Sequence, residues 1–355
     1  MVNLYITSGE TFSGKSAVCI GLGLHFRKDG LKVGYMKPVN INCQLCEGSA
    51  YDEDVIFAKQ VFEMPEPVEI IGPVALTQGK FEQQLRGPEV DYEPTMVHAY
   101  QKIADNRDII IMEGGRSLRE GYVAGLHPKK VVNIFDAKVV MVLKFDEVLM
   151  IDRALTAKYY FGDTILGVII NGVPKARVDY VTDIVIPYLN RHQLPVFGAI
   201  RRDVVLAAPT VAELAEGLQA EVLCCKEGTS KLVENMLVGA MSSESALVYF
   251  RRKANKAVIT GGDRADIQMA ALETSTRCLI LTGNLYPNPV VIRKAEEQGV
   301  PILLTSMDTL SAIEVSEKYF DRSRFQQPEK LDRFSELLDK YLDFNALDQA
   351  LGIRV

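Results

Sequence analysis

The sequence predicts an α/β protein with a parallel β-sheet domain first and a smaller α/β domain second. Short runs of β-branched residues alternate with amphipathic helical patterns through the first two thirds of the chain, and this alternation is typical of a parallel sheet covered by helices. A glycine-rich turn joins the first strand to the first helix. The composition breaks near residues 207–210, and a second alternation of strands and helices follows.

The elements of the first part follow from these patterns in order. A short apolar strand at residues 4–7 precedes a helix that runs to about Lys28. Further strands are predicted at 32–37, 108–112, 139–143, 164–170 and 196–200, and further helices at 52–62, 92–105, 147–160 and 178–191. Residues 65–94 carry Pro, Gly and Glu without a clear period. We therefore expect a long excursion over the strand ends, where ligands bind.

In the second part, strands are predicted at 257–260, 278–282 and 301–305. Asn288-Pro289 is expected to open a helix as N-cap and first helical residue, and Asp308 to cap the next one. Residues 328–351 predict one or two terminal helices, which could pack on either domain or on a second subunit. We accordingly place a first domain at 1–208, a second at 209–326 and a C-terminal helical segment at 327–355.

The composition is that of an ordinary globular protein. The chain has 355 residues, 48% of them apolar and 24% charged, which suits about two domains. A net charge of −6 argues against a broad nucleic-acid surface, although a local basic patch stays open. No apolar run has the length of a transmembrane helix. Because the first strand begins at residue 2 or 3, we expect no signal peptide, a cytoplasmic protein and no membrane partner.

The cysteines give only a weak metal signal. They are Cys19, Cys43, Cys46, Cys224, Cys225 and Cys278. The C-x-x-C spacing at 43–46 could be half a zinc site or a redox pair, but no second C-x-x-C is present. We favour two reduced thiols in a loop there, and small core residues at Cys19 and Cys278.

The glycine-rich turn has the pattern G-x-x-x-x-G-K-[ST] between a strand and a helix. Such glycines let backbone N–H groups point at phosphate oxygens, and the positive end of the following helix adds to the attraction. Lys15 would reach the outer phosphates, and the Ser16 hydroxyl would ligate Mg²⁺. The predicted nucleotide-binding residues here are Gly9, Glu10, Thr11, Phe12, Ser13, Gly14, Lys15, Ser16 and Ala17.

Four further side chains are candidates for the same site. Glu113 ends an apolar strand next to two glycines, where a carboxylate can hold Mg²⁺ directly or through water. Asp54 lies in an acidic helix start, where it could join the metal shell or simply complement the helix dipole. Lys37 ends the second strand and could stabilise charge on a transferring phosphoryl group, or be a surface lysine. Asn171 could read a purine edge or cap a turn.

Taken in order, these residues resemble the dethiobiotin-synthetase branch of P-loop ATPases. The matching features are the loop at 9–16, Tyr35-Met-Lys37-Pro38-Val39, Glu113-Gly114 and Ile170-Asn171-Gly-Val-Pro174. The resemblance implies that Lys15 and Ser16 bind the phosphates and Mg²⁺ of ATP. It implies that Asp54 and Glu113 complete the metal shell and that Asn171 contacts the purine. Lys37 matches the lysine that meets the carbamate in true synthetases, so Lys15 and Lys37 are the implied catalytic residues.

The second part resembles the DRTGG domain, on Gly261-Gly262-Asp263-Arg264 and Leu281-Thr282-Gly283. Both parts together resemble the N-terminal regulatory half of long bacterial phosphate acetyltransferases. Because the chain stops at Val355, acetyl transfer from coenzyme A is not expected. Residues 40–44 and 113–117 also depart from the Ser- and Gly-rich runs of true synthetases. The resemblance therefore supports the nucleotide site more than a diamino-acid pocket.

Three functions stay open. The first, which we favour, is a regulatory protein that binds ATP and Mg²⁺ and reads a small effector at Gly261, Gly262, Asp263 and Arg264, with slow or conditional ATP hydrolysis. The same turn could instead be a tight connection with an Asp cap. The second is an ATP-dependent ligase that activates a carboxylate or carbamate. The third is an assembly ATPase, and we expect a homo-oligomer in any case.

Overall fold

The structure, a computed structural model, describes residues 1–41, 43–46, 49–320 and 325–353. The chain divides into two compact units, residues 1–202 together with the segment from 325 onward, and residues 203–324. Each unit has an α/β architecture of its own, so the predicted fold class is confirmed. Among the described residues, no helix combines the length and the apolar character that crossing a bilayer requires.

The first unit is built on a central sheet with helices around it. Its strands, numbered in chain order, are β1 (Val2–Ser8), β2 (Val33–Met36), β3 (Val39–Asn40), β4 (Gln44–Cys46), β5 (Ser49–Tyr51), β6 (Val74–Ala75), β7 (Ile109–Glu113), β8 (Lys138–Lys144), β9 (Ile165–Val173) and β10 (Val196–Arg201). Its helices up to residue 202 are α1 (Lys15–Lys28), α2 (Glu53–Val61), α3 (Val68–Ile71), α4 (Gln78–Arg86), α5 (Glu93–Ala104), α6 (Pro128–Ile134), α7 (Met150–Phe161), α8 (Val178–Tyr180) and α9 (Ile186–Arg191).

Six strands form the main sheet in the order β10–β9–β8–β1–β7–β2, and all neighbouring pairs are parallel. Every residue of β7 is buried, as is the run 139–143 of β8. Burial on both faces explains why these strands read as continuous apolar runs rather than alternating ones. Because the strands are parallel, their carboxyl ends share one edge of the sheet, where the loop before α1 also lies.

Two segments of the first unit, residues 65–94 and 178–191, differ from the sequence prediction. Residues 65–94 are more regular than expected, because they contain α3, β6 and α4. Here local capping rather than an apolar period defines α4: the Thr77 side chain accepts a hydrogen bond from Lys80 N at 3.3 Å. The predicted helix 178–191 has a π-turn at Val181–Val185 between α8 and α9. Pro187, the second residue of α9, has no N–H to donate to the preceding turn.

The second unit has strands β11 (Glu221–Cys224), β12 (Asn235–Val238), β13 (Lys256–Gly261), β14 (Thr276–Thr282) and β15 (Ile302–Leu304). Its helices are α10 (Val204–Ala207), α11 (Val211–Gly217), α12 (Ser243–Phe250), α13 (Ala265–Leu272), α14 (Pro289–Gln298) and α15 (Thr309–Phe320). The sheet order is β11–β15–β14–β13–β12, with only β11 antiparallel among its described pairs. Asn288 and Asp308 accept the predicted N-cap hydrogen bonds, from Val290 N and Ser311 N.

Two terminal helices, α16 (Pro328–Tyr341) and α17 (Phe344–Leu351), belong to the first unit. α16 packs on α1 through a close approach at Gly21, where a Cβ atom would lie 2.2 Å from Leu338 Cδ1. Leu337 and Leu338 are buried in this contact region. The absence of a side chain at Gly21 therefore lets the terminal helix lie directly against the helix that follows the glycine-rich loop.

Candidate functional site

The glycine-rich loop has the tight geometry that its sequence predicts. Gly14, the residue before α1, has φ 85° and ψ 16°, in the left-handed region. A Cβ atom at Gly14 would lie 2.1 Å from Asn171 Nδ2. Asn171 Nδ2 donates to the backbone carbonyl of Ser13 at 2.9 Å. Glycine is thus required at residue 14 both by its backbone conformation and by the approach of Asn171.

Glu113 is the centre of the site. Its carboxylate is 1% exposed at the end of β7. Oε1 accepts hydrogen bonds from Lys15 Nζ at 2.5 Å and from Ser16 Oγ at 2.8 Å, and Oε2 accepts one from Tyr35 OH at 2.8 Å. The loop lysine and serine therefore meet the predicted strand-end acid directly.

The protonation of Glu113 reflects these neighbours. Burial alone would raise the pKa of the carboxyl group, but the charges of Lys15 and Lys37 and the hydrogen bonds from Lys15 and Ser16 outweigh it. The pKa is lowered from 4.5 to about 2. Two cations and two donors thus hold a fully buried group as a carboxylate at neutral pH.

Lys37 joins the same network from the end of β2. Its Nζ atom lies 2.8 Å from both Asp52 Oδ2 and Asp54 Oδ2, and 3.9 Å from Glu113 Oε1. Burial would lower the pKa of Lys37, but the three carboxylates raise it above its ordinary value. Burial also raises the pKa of Asp52, against the opposing charge of Lys37. A nearly buried ammonium group therefore links the predicted metal-shell residues Asp54 and Glu113.

The structure brings five predicted site residues into one network: Lys15, Ser16, Lys37, Asp54 and Glu113. Asn171 Nδ2 contacts the loop backbone, and its role in reading a purine edge stays a prediction. Glu10 pairs with Arg153 at 2.6 Å, and Arg153 also reaches Asp146 at 3.5 Å.

Sequence reasoning missed Tyr35, Asp52 and Arg153 as members of this region. Tyr35 lies within the quoted strand end, and Asp52 within the acidic helix start from which only Asp54 was chosen. Asp52 is the N-cap of α2, because its Oδ1 accepts from Asp54 N at 2.9 Å. Its Oδ2 accepts a hydrogen bond from Lys37 Nζ, so Asp52 both caps α2 and belongs to the network around Lys37. The metal-shell role of Asp54 stays a prediction.

The residues present fit a hard divalent cation. Ser16 Oγ, the Asp54 carboxylate and the Glu113 carboxylate are oxygen donors, which is the ligand type that Mg²⁺ prefers. The Glu113 carboxyl group is held ionised, and the Lys37 ammonium group lies 2.8 Å from the Asp54 carboxylate and 3.9 Å from the Glu113 carboxylate, so these two acids favour a positive charge near them. These three side chains are the ones that would hold Mg²⁺.

A cleft that is open to solvent lies beside Glu113. Its lining includes the carboxylates of Glu113 and Glu120 and the apolar side chains of Val39, Leu126 and Val131. The cleft therefore offers a mixed polar and apolar surface next to the buried carboxylate.

In the second unit, the turn after β13 has a mainly structural explanation. A Cβ atom at Gly262 would lie 1.7 Å from the backbone oxygen of Leu285, so close packing demands glycine there. Gln268 Nε2, fully buried in α13, donates to the carbonyls of Gly261 and Gly262 at 2.8 and 3.1 Å. Asp263 is exposed, and α13 begins after Arg264 without a side-chain cap, so the alternative of an Asp cap is wrong.

Arg264 remains a ligand candidate at this turn. Its guanidinium group pairs with Asp266 at 3.1 and 3.2 Å and donates to the carbonyl of Met241 at 2.9 Å. The side chain is 37% exposed. An anionic effector would therefore have to compete with the Asp266 carboxylate for the same guanidinium donors.

Among the residues that the structure describes, no cysteine belongs to a group that could hold a metal ion. Cys19 and Cys278 are fully buried, as expected for small core residues. Cys43 Sγ donates to the carbonyl of Asn40 at 3.5 Å. Asn42 and the side chain of Cys46 lie outside the described part of the chain, so the expectation that Cys43 and Cys46 are two reduced thiols stays a prediction.

Comparison with known proteins agrees with this architecture. Residues 2–210 match the AAA domain family, and residues 213–318 match the DRTGG domain. The chain is 26% identical to the phosphate acetyltransferase of Synechocystis sp. over 86% of its own length and 46% of the relative's. It is 27% identical to the ATP-dependent dethiobiotin synthetase BioD of Thermodesulfovibrio yellowstonii over 31% of its own length and 47% of the relative's.

The chain thus spans about half the length of the curated relatives it matches. Among solved structures, it is similar to the CBS and DRTGG domains of Clostridium perfringens pyrophosphatase complexed with diadenosine tetraphosphate. That similarity has 19% identity and a TM-score of 0.29, over 41% of this chain and 70% of the other. The resemblance to the N-terminal half of phosphate acetyltransferases is confirmed by the order of the two domains. The chain belongs to the AAA domain family and carries a DRTGG domain after its P-loop domain.

Proposed function

We propose that this protein is a nucleotide-binding regulator that holds ATP and Mg²⁺ in its first unit and a small effector in its second. The observation that supports the proposal is the convergence of Lys15, Ser16, Lys37 and Asp54 around the buried Glu113 carboxylate. In this proposal hydrolysis is slow or conditional. Cations, a hydroxyl and carboxylates at a P-loop are the groups that phosphate and Mg²⁺ recognition need.

Each residue has a distinct part in this proposal. Lys15 exchanges its carboxylate partner for a phosphate oxygen, which offers an equally charged acceptor. Ser16, Asp54 and Glu113 hold Mg²⁺, which supplies positive charge that neutralises the phosphates. Lys37 stabilises negative charge that develops on the outer phosphate, because its ammonium group is nearly buried and therefore poorly screened.

A contact at Asp54 offers a route for regulation. Gln326 Nε2 donates to Asp54 Oδ1 at 2.8 Å, and the ring of Phe325 lies edge-on to Phe57 of α2 with 6.0 Å between centroids. Residue 325 is where the chain returns from the second unit. If Asp54 turns toward Mg²⁺ when ATP binds, the Gln326 hydrogen bond is lost at this return point. The proposal is that the two ligands influence each other through this exchange.

The test is a calorimetric titration of the full chain with ATP, with and without Mg²⁺. The Lys15→Ala variant, in which binding at the first unit is weakened, is then titrated with a panel of adenine nucleotides so that binding elsewhere contributes more of the signal. An effector site at Arg264 predicts residual binding that is weaker in the Lys15→Ala, Arg264→Ala double variant than in Lys15→Ala alone. Silence of the Lys15→Ala variant across the panel removes the adenine-nucleotide form of the effector proposal. If the ATP affinity of Gln326→Leu lies within about twofold of the wild-type affinity, the coupling route is ruled out.

The cleft beside Glu113 favours one alternative, an ATP-dependent ligase of the dethiobiotin synthetase type. A small acceptor would lie next to the phosphate-binding residues there, against a wall that carries apolar side chains and the Glu113 and Glu120 carboxylates. This function predicts that candidate amines with bicarbonate stimulate phosphate release from ATP. If no acceptor raises the rate above that of ATP alone, the regulatory proposal stands. Gel filtration with and without ATP tests the proposed homo-oligomer and the assembly-ATPase alternative together.

A further inference from the structure

A second group of metal-type ligands lies at the end of α1 opposite the glycine-rich loop. His25 is in the last turn of α1, and Asp29 is its C-cap residue. His25 Nε2 lies 3.1 Å from Asp29 Oδ2. Asp348 of α17 completes the group, and one ligand atom from each of the three residues lies within 4.8 Å of the others. At 1.5 Å rise per residue, this group is about 15 Å along the helix from Lys15.

Secondary structure holds the three side chains in place. His25 and Asp29 are four residues apart, so a helical turn puts them on one face. The Phe344 ring stacks on the His25 ring, with 3.5 Å between centroids and an interplanar angle of 18°. Phe344 and Asp348 are likewise one turn apart on α17. The same face of α17 therefore fixes the plane of the imidazole and delivers the third carboxylate.

Asp348 carries an unsatisfied buried acceptor. The residue is 8% exposed, and its Oδ1 atom has no hydrogen-bond partner. A buried acceptor without a donor lacks the hydrogen bonds that water would give it, which destabilises the fold. A cation between these side chains would satisfy that oxygen and would also relieve the repulsion between the two carboxylates.

We propose that His25, Asp29 and Asp348 bind a divalent transition metal, with Zn²⁺ the best match. One imidazole and two carboxylates are a three-ligand set that Zn²⁺ accepts with a water in the fourth position. Mg²⁺ prefers oxygen ligands alone, so the imidazole separates this site from the Ser16–Asp54–Glu113 group. The metal would fasten α17 to α1, the helix that begins at the nucleotide loop. This inference does not depend on the proposed nucleotide function.

The test is Zn²⁺ titration of the metal-free full chain in competition with a chromophoric chelator. Because cysteine thiolates also bind Zn²⁺, the difference between variants is the measured quantity. His25→Ala and Asp348→Asn are compared with His98→Ala and Asp339→Asn, which change exposed residues of the same type. We expect the two site variants to bind one Zn²⁺ fewer, or to bind it at least about tenfold more weakly. The two controls should match the wild type.

A thermal measurement gives a second readout for the same proposal. Zn²⁺ should raise the unfolding temperature of the wild type and of Asp339→Asn, but not of Asp348→Asn, because only a site in the folded state couples binding to stability. Asp348→Asn keeps the side-chain shape, and its circular dichroism spectrum shows whether it folds. Coincident Zn²⁺ isotherms for the wild type, His25→Ala and Asp348→Asn would overturn the proposal and assign the bound zinc to other residues.

Discussion

Replacing Glu113 by Gln removes one negative charge from the centre of the site while preserving the shape of the side chain. The wild-type carboxylate is 1% exposed and accepts hydrogen bonds from Lys15, Ser16 and Tyr35. The variant leaves Lys15 without its carboxylate partner, and it leaves Lys37 with two carboxylates instead of three. We therefore predict that Glu113→Gln lowers the free energy of unfolding at pH 7.

The size of this effect follows from the pKa of Glu113. Its fall from 4.5 to about 2 corresponds to roughly 3 kcal/mol, because a pKa change of one is worth about 1.36 kcal/mol. Because the folded-state pKa is lowered, the wild-type advantage is complete above pH 4.5. It is lost as the pH falls from 4.5 towards 2, where the folded carboxylate becomes protonated. The stability difference between wild type and variant should shrink over that same range.

The assay is urea unfolding followed by circular dichroism, since the chain contains no tryptophan to report by fluorescence. Asp108→Asn is the matched control, because Asp108 is an exposed carboxylate just before the opposite end of the same strand. It should cost less than about 1 kcal/mol and show no comparable convergence with pH. A Glu113→Gln variant that is as stable as the wild type at pH 7 would refute the reasoning.

Two further predictions concern glycines with positive φ and a buried lysine. Gly30→Ala should cost about 1–2 kcal/mol in urea unfolding, and Gly14→Ala at least as much, because both residues have positive φ, 88° and 85°. Only Gly14→Ala should also weaken ATP binding in a titration, since its Cβ meets Asn171 while that of Gly30 meets nothing within 4 Å. Lys256 is fully buried, and burial lowers its pKa from 10.5 to about 8. Between pH 8 and 10.5 only the unfolded wild-type chain keeps the lysine proton, so the free energy of unfolding of the wild type should rise relative to that of Lys256→Met. Urea midpoints of the two proteins that change in parallel across this range would contradict the prediction.

Local features of the site were predictable from the sequence. The strand, the glycine-rich turn and α1 are consecutive in the chain, so their order fixes where Lys15 and Ser16 lie. Glu113 was also predictable, because an acid at the end of an apolar strand must reach the carboxyl edge of a parallel sheet. Both predictions are independent of the order of the strands in the sheet.

Contacts that depend on strand order were not predictable. Tyr35 reaches Glu113 because β2 pairs with β7, with Tyr35 opposite Ile111. Strand order is set by packing across the whole sheet, and no local pattern encodes it. Asn171 lies inside β9, two residues before its end, whereas the sequence predicted that the strand ends at residue 170. Its contact with Ser13 spans the intervening strand β8. The π-turn at Val181–Val185 escaped prediction because the apolar period continues through it.

The most direct measurement is the ATP affinity of the wild type and of Lys15→Ala in the presence of Mg²⁺. Lys28→Ala is the control, because Lys28 is exposed at the other end of the same helix. Loss of a charge-assisted hydrogen bond of about 1.5–3 kcal/mol predicts that Lys15→Ala binds ATP about 10- to 150-fold more weakly. Lys28→Ala should stay within about twofold of the wild type. Equal ATP affinity of Lys15→Ala and the wild type would contradict the assignment of the P-loop as the nucleotide site.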